Sequence, residues 1–101
     1  MIKSVVFKVK SGHLEQWRSW CNKLMTSLHT EGLNTLREEQ VTQEVAFIFE
    51  IKGESYVLGF AEGDMLPADM SREINKKHKQ AKEECLEFIG HAETLYSLKI
   101  S

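Results

Sequence analysis

The sequence predicts an α+β fold, a four-stranded antiparallel sheet with two helices on one of its faces. Three observations carry this. Residues Gln43 to Asp64, QEVAFIFEIKGESYVLGFAEGD, form two alternating runs rich in aromatic and branched side chains around a glycine turn. Two longer stretches, one on each side of this hairpin, place apolar residues at the three-and-four spacing of a helix face. Further alternating runs close both ends of the chain, giving the order strand, helix, strand, strand, helix, strand.

Ile2 to Lys10 alternates Val5, Phe7 and Val9 against Ser4, Val6 and Lys8 and reads as the first strand, ended by Ser11-Gly12. From His13, the residues Leu14, Trp17, Cys21, Leu24, Met25 and Leu28 make one helical stripe, which Trp20 widens. The pattern resumes at Leu33 and Leu36, so the helix is expected to reach about Glu39 with a bend near His29 to Gly32. In the hairpin, Gly53-Glu54 suits a type II′ turn, which needs a positive φ at its first central residue. That turn sets Ile51 opposite Tyr56, Phe49 opposite Leu58 and Phe47 opposite Phe60. One face of the hairpin is then almost wholly apolar. The other carries Glu44, Ala46, Ile48, Glu50, Val57, Gly59 and Ala61, small residues with carboxylates at the ends. This small-residue face suits either close packing against a second sheet or a ligand cavity floor, and a one-residue bulge would exchange the two faces.

Beyond Gly63 to Pro67, a second helix is expected, with Ile74, His78, Ala81, Cys85, Phe88 and Ile89 on its stripe and Gly90 as its stop. Ala92 to Ile100 alternates again as a closing strand. Right-handed crossovers put both helices on one face of the sheet, the split arrangement called ferredoxin-like, over residues 1–101 as a single domain. The aromatic hairpin face, with Val5, Phe7 and Val9, is expected to meet the helices. The small-residue face is then bare, and pairing two bare faces makes a homodimer the economical expectation, with Ala46 and Ala61 inside its interface.

Composition narrows the function classes. With 42% hydrophobic residues the chain has material for one modest core, and a formal charge of −2 gives no long-range pull toward nucleic acid or anionic lipid. No run approaches the roughly 18 apolar residues of a membrane span, and the opening MIKSVVFKVKSGH lacks the continuous core of a secretory signal, so a cytoplasmic protein is expected. Cys21 and Cys85 lie far apart on helical stripes and read as small buried hydrophobes. No paired histidines at ligand spacing, glycine-rich phosphate loop or nucleophile motif occurs, and no metal is expected.

His78 interrupts an apolar stripe, where it serves as a base, a ligand anchor or simply a hydrogen-bonded core residue. Trp17 and Trp20 offer an aromatic wall to the same helix–sheet cleft, or plain core. Tyr56, facing the helices, needs a partner for its hydroxyl, and a ligand or a backbone group serves equally. These three, His78, Trp17 and Tyr56, are the expected ligand-binding set, with His78 the best catalytic candidate. Lys8, Glu44, Glu50 and Ser4 are candidates for a polar cluster inside a dimeric barrel, against ordinary solvation of strand ends. Asp69 is expected to cap the second helix, and Lys76, Lys77, Lys79 and Lys82 to form a solvated helix face beside Glu73, Glu83 and Glu84.

Taken together, the topology resembles the dimeric α/β-barrel superfamily, which includes antibiotic-biosynthesis monooxygenases, haem-degrading monooxygenases and sugar mutarotases. More narrowly, GHLEQWRSWCNKLM, FEIKGESYVLGF and MLPADMSREINKKHKQAKEECLEFIG resemble a family of uncharacterised bacterial proteins of about this length. The resemblance implies a homodimer. It leaves open three functions: a small-molecule-binding protein, a monooxygenase- or mutarotase-like enzyme, and an interaction module without catalysis. The haem-degrading branch is similar in carrying an iron-ligating histidine on its second helix, which would correspond to His78 and make haem a cofactor to test. That branch also uses an asparagine on the first strand and a tryptophan after the third, where this chain has Ser4 and no tryptophan.

Overall fold

The computed structural model describes residues 1–100. Its elements run β1 (Ile2–Val9), α1 (Leu14–Met25), α2 (His29–Glu38), β2 (Val41–Ile51), β3 (Glu54–Gly63), α3 (Glu73–Cys85) and β4 (Leu86–Ala92). The strands form one antiparallel sheet in the order β2-β3-β1-β4, the ferredoxin-like order expected from the sequence. No helix is long and apolar enough to cross a membrane among the described residues.

The first helical stretch divides earlier than expected. Thr26 and Leu28 both donate backbone N–H groups to the Lys23 carbonyl and close α1, and the Thr26 hydroxyl donates to the Asn22 carbonyl. Gly32 is not the break, because its N–H donates to Leu28 and carries α2 onward. Met25 is exposed rather than part of the packed stripe, since the chain turns away directly after it.

The hairpin turn also differs. Lys52 and Gly53 are its central residues, both at positive φ (51° and 79°), as a type I′ turn requires, and Ile51 pairs with Glu54. The register therefore moves by two residues, to Phe49 with Tyr56, Phe47 with Leu58 and Val45 with Phe60. An even shift keeps every side chain on its own face.

Which face meets the helices is reversed for the hairpin. Phe7 pairs with Val57 and Val5 with Gly59, so the small-residue face shares a side with Phe7 and Val9. On that side Val57 is only 2% exposed and packs in the core with Val9, Trp17, Trp20, Ile74, Ala81, Cys85 and Leu86. The physical reason is volume: two tryptophans from α1 fill the layer between helices and sheet, and the hairpin accommodates them with Ala46, Gly59, Ala61 and the buried Val57. The aromatic set Val45, Phe47, Phe49, Ile51, Tyr56, Leu58 and Phe60 instead shares the open side with Ser4, Val6 and Lys8. Phe47 there is 53% exposed.

At the other end of the chain, α3 stops at Cys85 and β4 follows at once, so Phe88, Ile89 and Gly90 belong to a strand and not to a helix terminus. Leu86 pairs with Val9, Phe88 with Phe7 and Gly90 with Val6, and Ile89 is the extra residue of a bulge. The Lys10 N–H donates to the Cys85 carbonyl at 2.8 Å and fixes this transition. The closing strand expected over Ala92 to Ile100 therefore lies earlier in the chain. Residues 93–100 pair with no strand, and Leu95 (86%) and Leu98 (89%) are exposed. The sequence also offers Pro67 as an early residue of the second helix, but it precedes α3 by six residues, too far to serve in its first turn. Asp69 does not cap that helix. It accepts hydrogen bonds from the Ser71 N–H and hydroxyl, forming a local turn that holds its carboxyl below the ordinary value.

Candidate functional site

The apolar stripe of α1 turns Trp17 and Trp20 inward, and the stripe of α3 turns His78 toward them. The imidazole lies 6.4 Å from the Trp17 ring and 5.9 Å from the Trp20 ring, tilted by 42° and 37°. The Trp20 Nε1–H donates to His78 Nδ1 at 2.9 Å. His78 Nε2 forms no hydrogen bond, and no unpartnered side-chain nitrogen or oxygen is sealed from solvent among the described residues, so Nε2 opens outward. Burial, with the Lys82 charge one helical turn away as the lesser cause, pushes the His78 pKa down to about 4. The ring is neutral at physiological pH.

Lys82 links this cluster to the sheet. Its ammonium sits over the Phe7 ring at 5.7 Å from the centroid, so it departs from the solvated lysine face expected of this helix. Lys79 keeps that role, pairing with Glu83 at 4.0 Å. Glu44, on the helix side of edge strand β2, has its pKa raised by desolvation, opposed by the Lys82 charge. Glu39 is raised for the same first reason, with Glu44 and Glu38 adding repulsion. Phe88 stacks edge-on against Phe7 at 6.2 Å and on His91 at 5.4 Å. The helix side of the sheet thus holds a neutral imidazole, an ammonium near the Phe7 ring and, on the exposed edge strand, a carboxyl whose pKa is raised by desolvation.

The structure brings together Trp17 and His78 of the expected ligand set and separates Tyr56 from them. Tyr56 lies on the open face, stacked on Phe49 at 5.6 Å, with the sheet between it and His78. The expected polar cluster of Lys8, Ser4, Glu44 and Glu50 is divided in the same way. Lys8 and Ser4 lie on the open face, where Lys8 pairs with Glu54 at 3.4 Å, while Glu44 and Glu50 lie on the helix side. The sequence offers Trp20 as an aromatic wall beside His78 but not as its hydrogen-bond donor, and it does not set Lys82 apart from the other lysines of α3. Only the helical spacing that puts His78 and Lys82 on one face of α3 hints at the place of Lys82.

Cys21 and Cys85 are free thiols in and beside the core. Burial pushes both up in pKa, which suits packing rather than nucleophilic attack.

Residues 2–99 match the model of a family described as a family of unknown function (DUF6176). No curated protein matches the chain. Among solved structures, the chain is similar to the L-rhamnose mutarotase of Formosa agariphila, with a TM-score of 0.62 at 14% identity, covering 98% of this chain and 99% of that one. At this identity the likeness is one of fold.

Proposed function

The chain belongs to this family of unknown function, and we propose that it works as a homodimer that binds a polar small molecule, of sugar-like chemistry, in the helix–sheet cleft at His78. The observation that carries this reading is the Trp20–His78 hydrogen bond, which fixes one ring nitrogen inside the protein and leaves Nε2 open.

Dimerisation is supported by the open face. Four strands about 4.8 Å apart and about 30 Å long cover roughly 600 Å² in projection, while a stable interface needs roughly 800 Å² per partner. The exposed apolar residues Leu95, Tyr96 and Leu98 of the C-terminal segment supply further area, and Lys99 ties that segment to Glu62 at 2.9 Å. A second copy of the same face covers both at once, by a two-fold axis.

A second reading is sugar mutarotation, favoured by the full-length likeness in fold to a rhamnose mutarotase. Opening an aldose ring moves the proton of the anomeric hydroxyl to a base and delivers a proton to the ring oxygen from an acid. In this reading the Glu44 carboxylate takes the first proton, the Lys82 ammonium supplies the second, and His78 Nε2–H holds the ring oxygen by a hydrogen bond.

The test is exchange NMR on L-rhamnose and other aldoses, with wild type and His78→Ala. Line broadening or saturation transfer from bound sugar, lost in His78→Ala, is the expected result for binding. Protein-dependent exchange between anomers, abolished by the same substitution, adds the enzymatic reading. Unchanged sugar spectra with wild-type protein across the panel would contradict both.

A further inference from the structure

Trp20 decides what His78 is able to do. An indole Nε1–H is a donor and never an acceptor, so the 2.9 Å contact requires a lone pair on His78 Nδ1. In a neutral imidazole the single proton then resides on Nε2. We propose that Trp20 is a positioning residue that locks His78 in the Nε2–H form, making it a hydrogen-bond donor to an oxygen acceptor of the ligand and disqualifying it as an axial ligand for haem iron. The inference rests on the cleft reading given above and names the chemistry that the cleft selects.

Iron ligation by Nε2 requires the lone pair at Nε2 and places the proton on Nδ1, where metal-bound imidazoles donate it to a carbonyl, carboxylate or water. Here Nδ1 faces the Trp20 N–H instead, and two donors would be opposed at hydrogen-bonding distance. The residues around His78 thus do not fit a histidine-ligated haem. Ser4, on the far side of the sheet, adds nothing to such a site. What Nε2–H does fit is a ring, hydroxyl or carbonyl oxygen, with Lys82, one helical turn on along α3, carrying a second donor on the same side of the sheet. The acceptor chemistry of a polyol or an oxo compound is the class this arrangement recognises.

The deciding experiment is a long-range ¹H–¹⁵N correlation spectrum of the histidine rings in labelled wild-type protein, with His78 assigned by its loss in His78→Gln. The expected pattern is a fully protonated Nε2 with a proton-free Nδ1, and a deshielded Trp20 indole proton that shifts in His78→Gln. In Trp20→Phe the Nδ1 lone pair loses its donor, so the single Nε2–H tautomer should give way to a mixture of the two neutral tautomers in the same spectrum. Haemin added to wild type should give no absorption band that depends on His78. A protonated Nδ1 in wild type, or a histidine-ligated haem spectrum that His78→Gln removes, would overturn the proposal. The wild-type spectrum decides even where Trp20→Phe fails to fold. An Nε2–H tautomer found together with no aldose binding would instead overturn the ligand reading and leave the tautomer assignment standing.

Discussion

His78 makes the stability of this protein depend on pH in a defined window. Its folded pKa of about 4 lies below the ordinary 6.5, so between these values the unfolded chain binds the proton more readily than the folded one. Stability from this group is present above pH 6.5 and is lost as pH falls toward 4, by up to about 3 kcal/mol from the linkage of 1.36 kcal/mol per pKa unit. Glu44 and Glu39 run in the opposite sense, since their raised pKa values favour the folded state as they protonate. Comparing wild type with His78→Gln cancels the carboxylates, and thermal melts from pH 7 to pH 4 should show wild type losing stability more steeply. Parallel profiles would remove the buried neutral imidazole. From the sequence, His78 and Trp17 were legible as a polar break and an aromatic on facing helical stripes. Trp20 was legible as an aromatic beside the same stripe but not as the donor to His78, because 58 residues separate the two and spacing within one helix says nothing about which of two neighbouring tryptophans makes the bond.

At the level of elements, the backbone at both ends of the β2–β3 hairpin is specified by single residues. Lys52 occupies a left-handed position of a type I′ turn, where asparagine is favoured, so Lys52→Asn should stabilise the protein by about 1 kcal/mol, read as a shift in the urea midpoint. Gly63, at φ 138°, passes so close to the preceding loop that an added Cβ would stand 2.3 Å from the Gln40 carbonyl oxygen. Gly63→Ala should therefore cost at least about 2 kcal/mol in the same measurement. Strand existence was readable from alternation at β1, β2 and β3. The boundary between α3 and β4 was not, because LEFIG satisfies helical spacing from Cys85 as well as it satisfies a strand, and pairing with β1 decides the matter. The alternation of Thr94 to Ile100 misled in the same way. It carries a strand pattern without a strand to pair with in its own sheet.

The whole molecule is a flat body, 38 × 35 × 21 Å, with a radius of gyration of 14.0 Å, where a compact domain of this length has about 13 Å. The excess reflects a single layer of core on one side of the sheet and an aromatic face left uncovered on the other. Alternation along the strands sorted the hairpin side chains into two correct sets. Which set meets the helices was not legible, because the aromatic set looks like core until the volume of Trp17 and Trp20 is placed between the layers. The reversal moves the dimer test from Ala46 and Ala61, now on the helix side, to the aromatic face. Phe47→Glu should leave the chain folded, since Phe47 is half-exposed within one copy, yet weaken self-association by about 2 kcal/mol or more, roughly thirtyfold in dissociation constant. Sedimentation of the variant at micromolar concentration reads this directly.

Native mass spectrometry of the protein as purified from cells tests the joint claim of a dimer with one small-molecule cleft in each copy. The account predicts a species of twice the chain mass that carries added mass and releases it on activation. A bare monomer at the same concentration would contradict it, since neither a partner for the aromatic face nor an occupant for the His78 cleft would then be present.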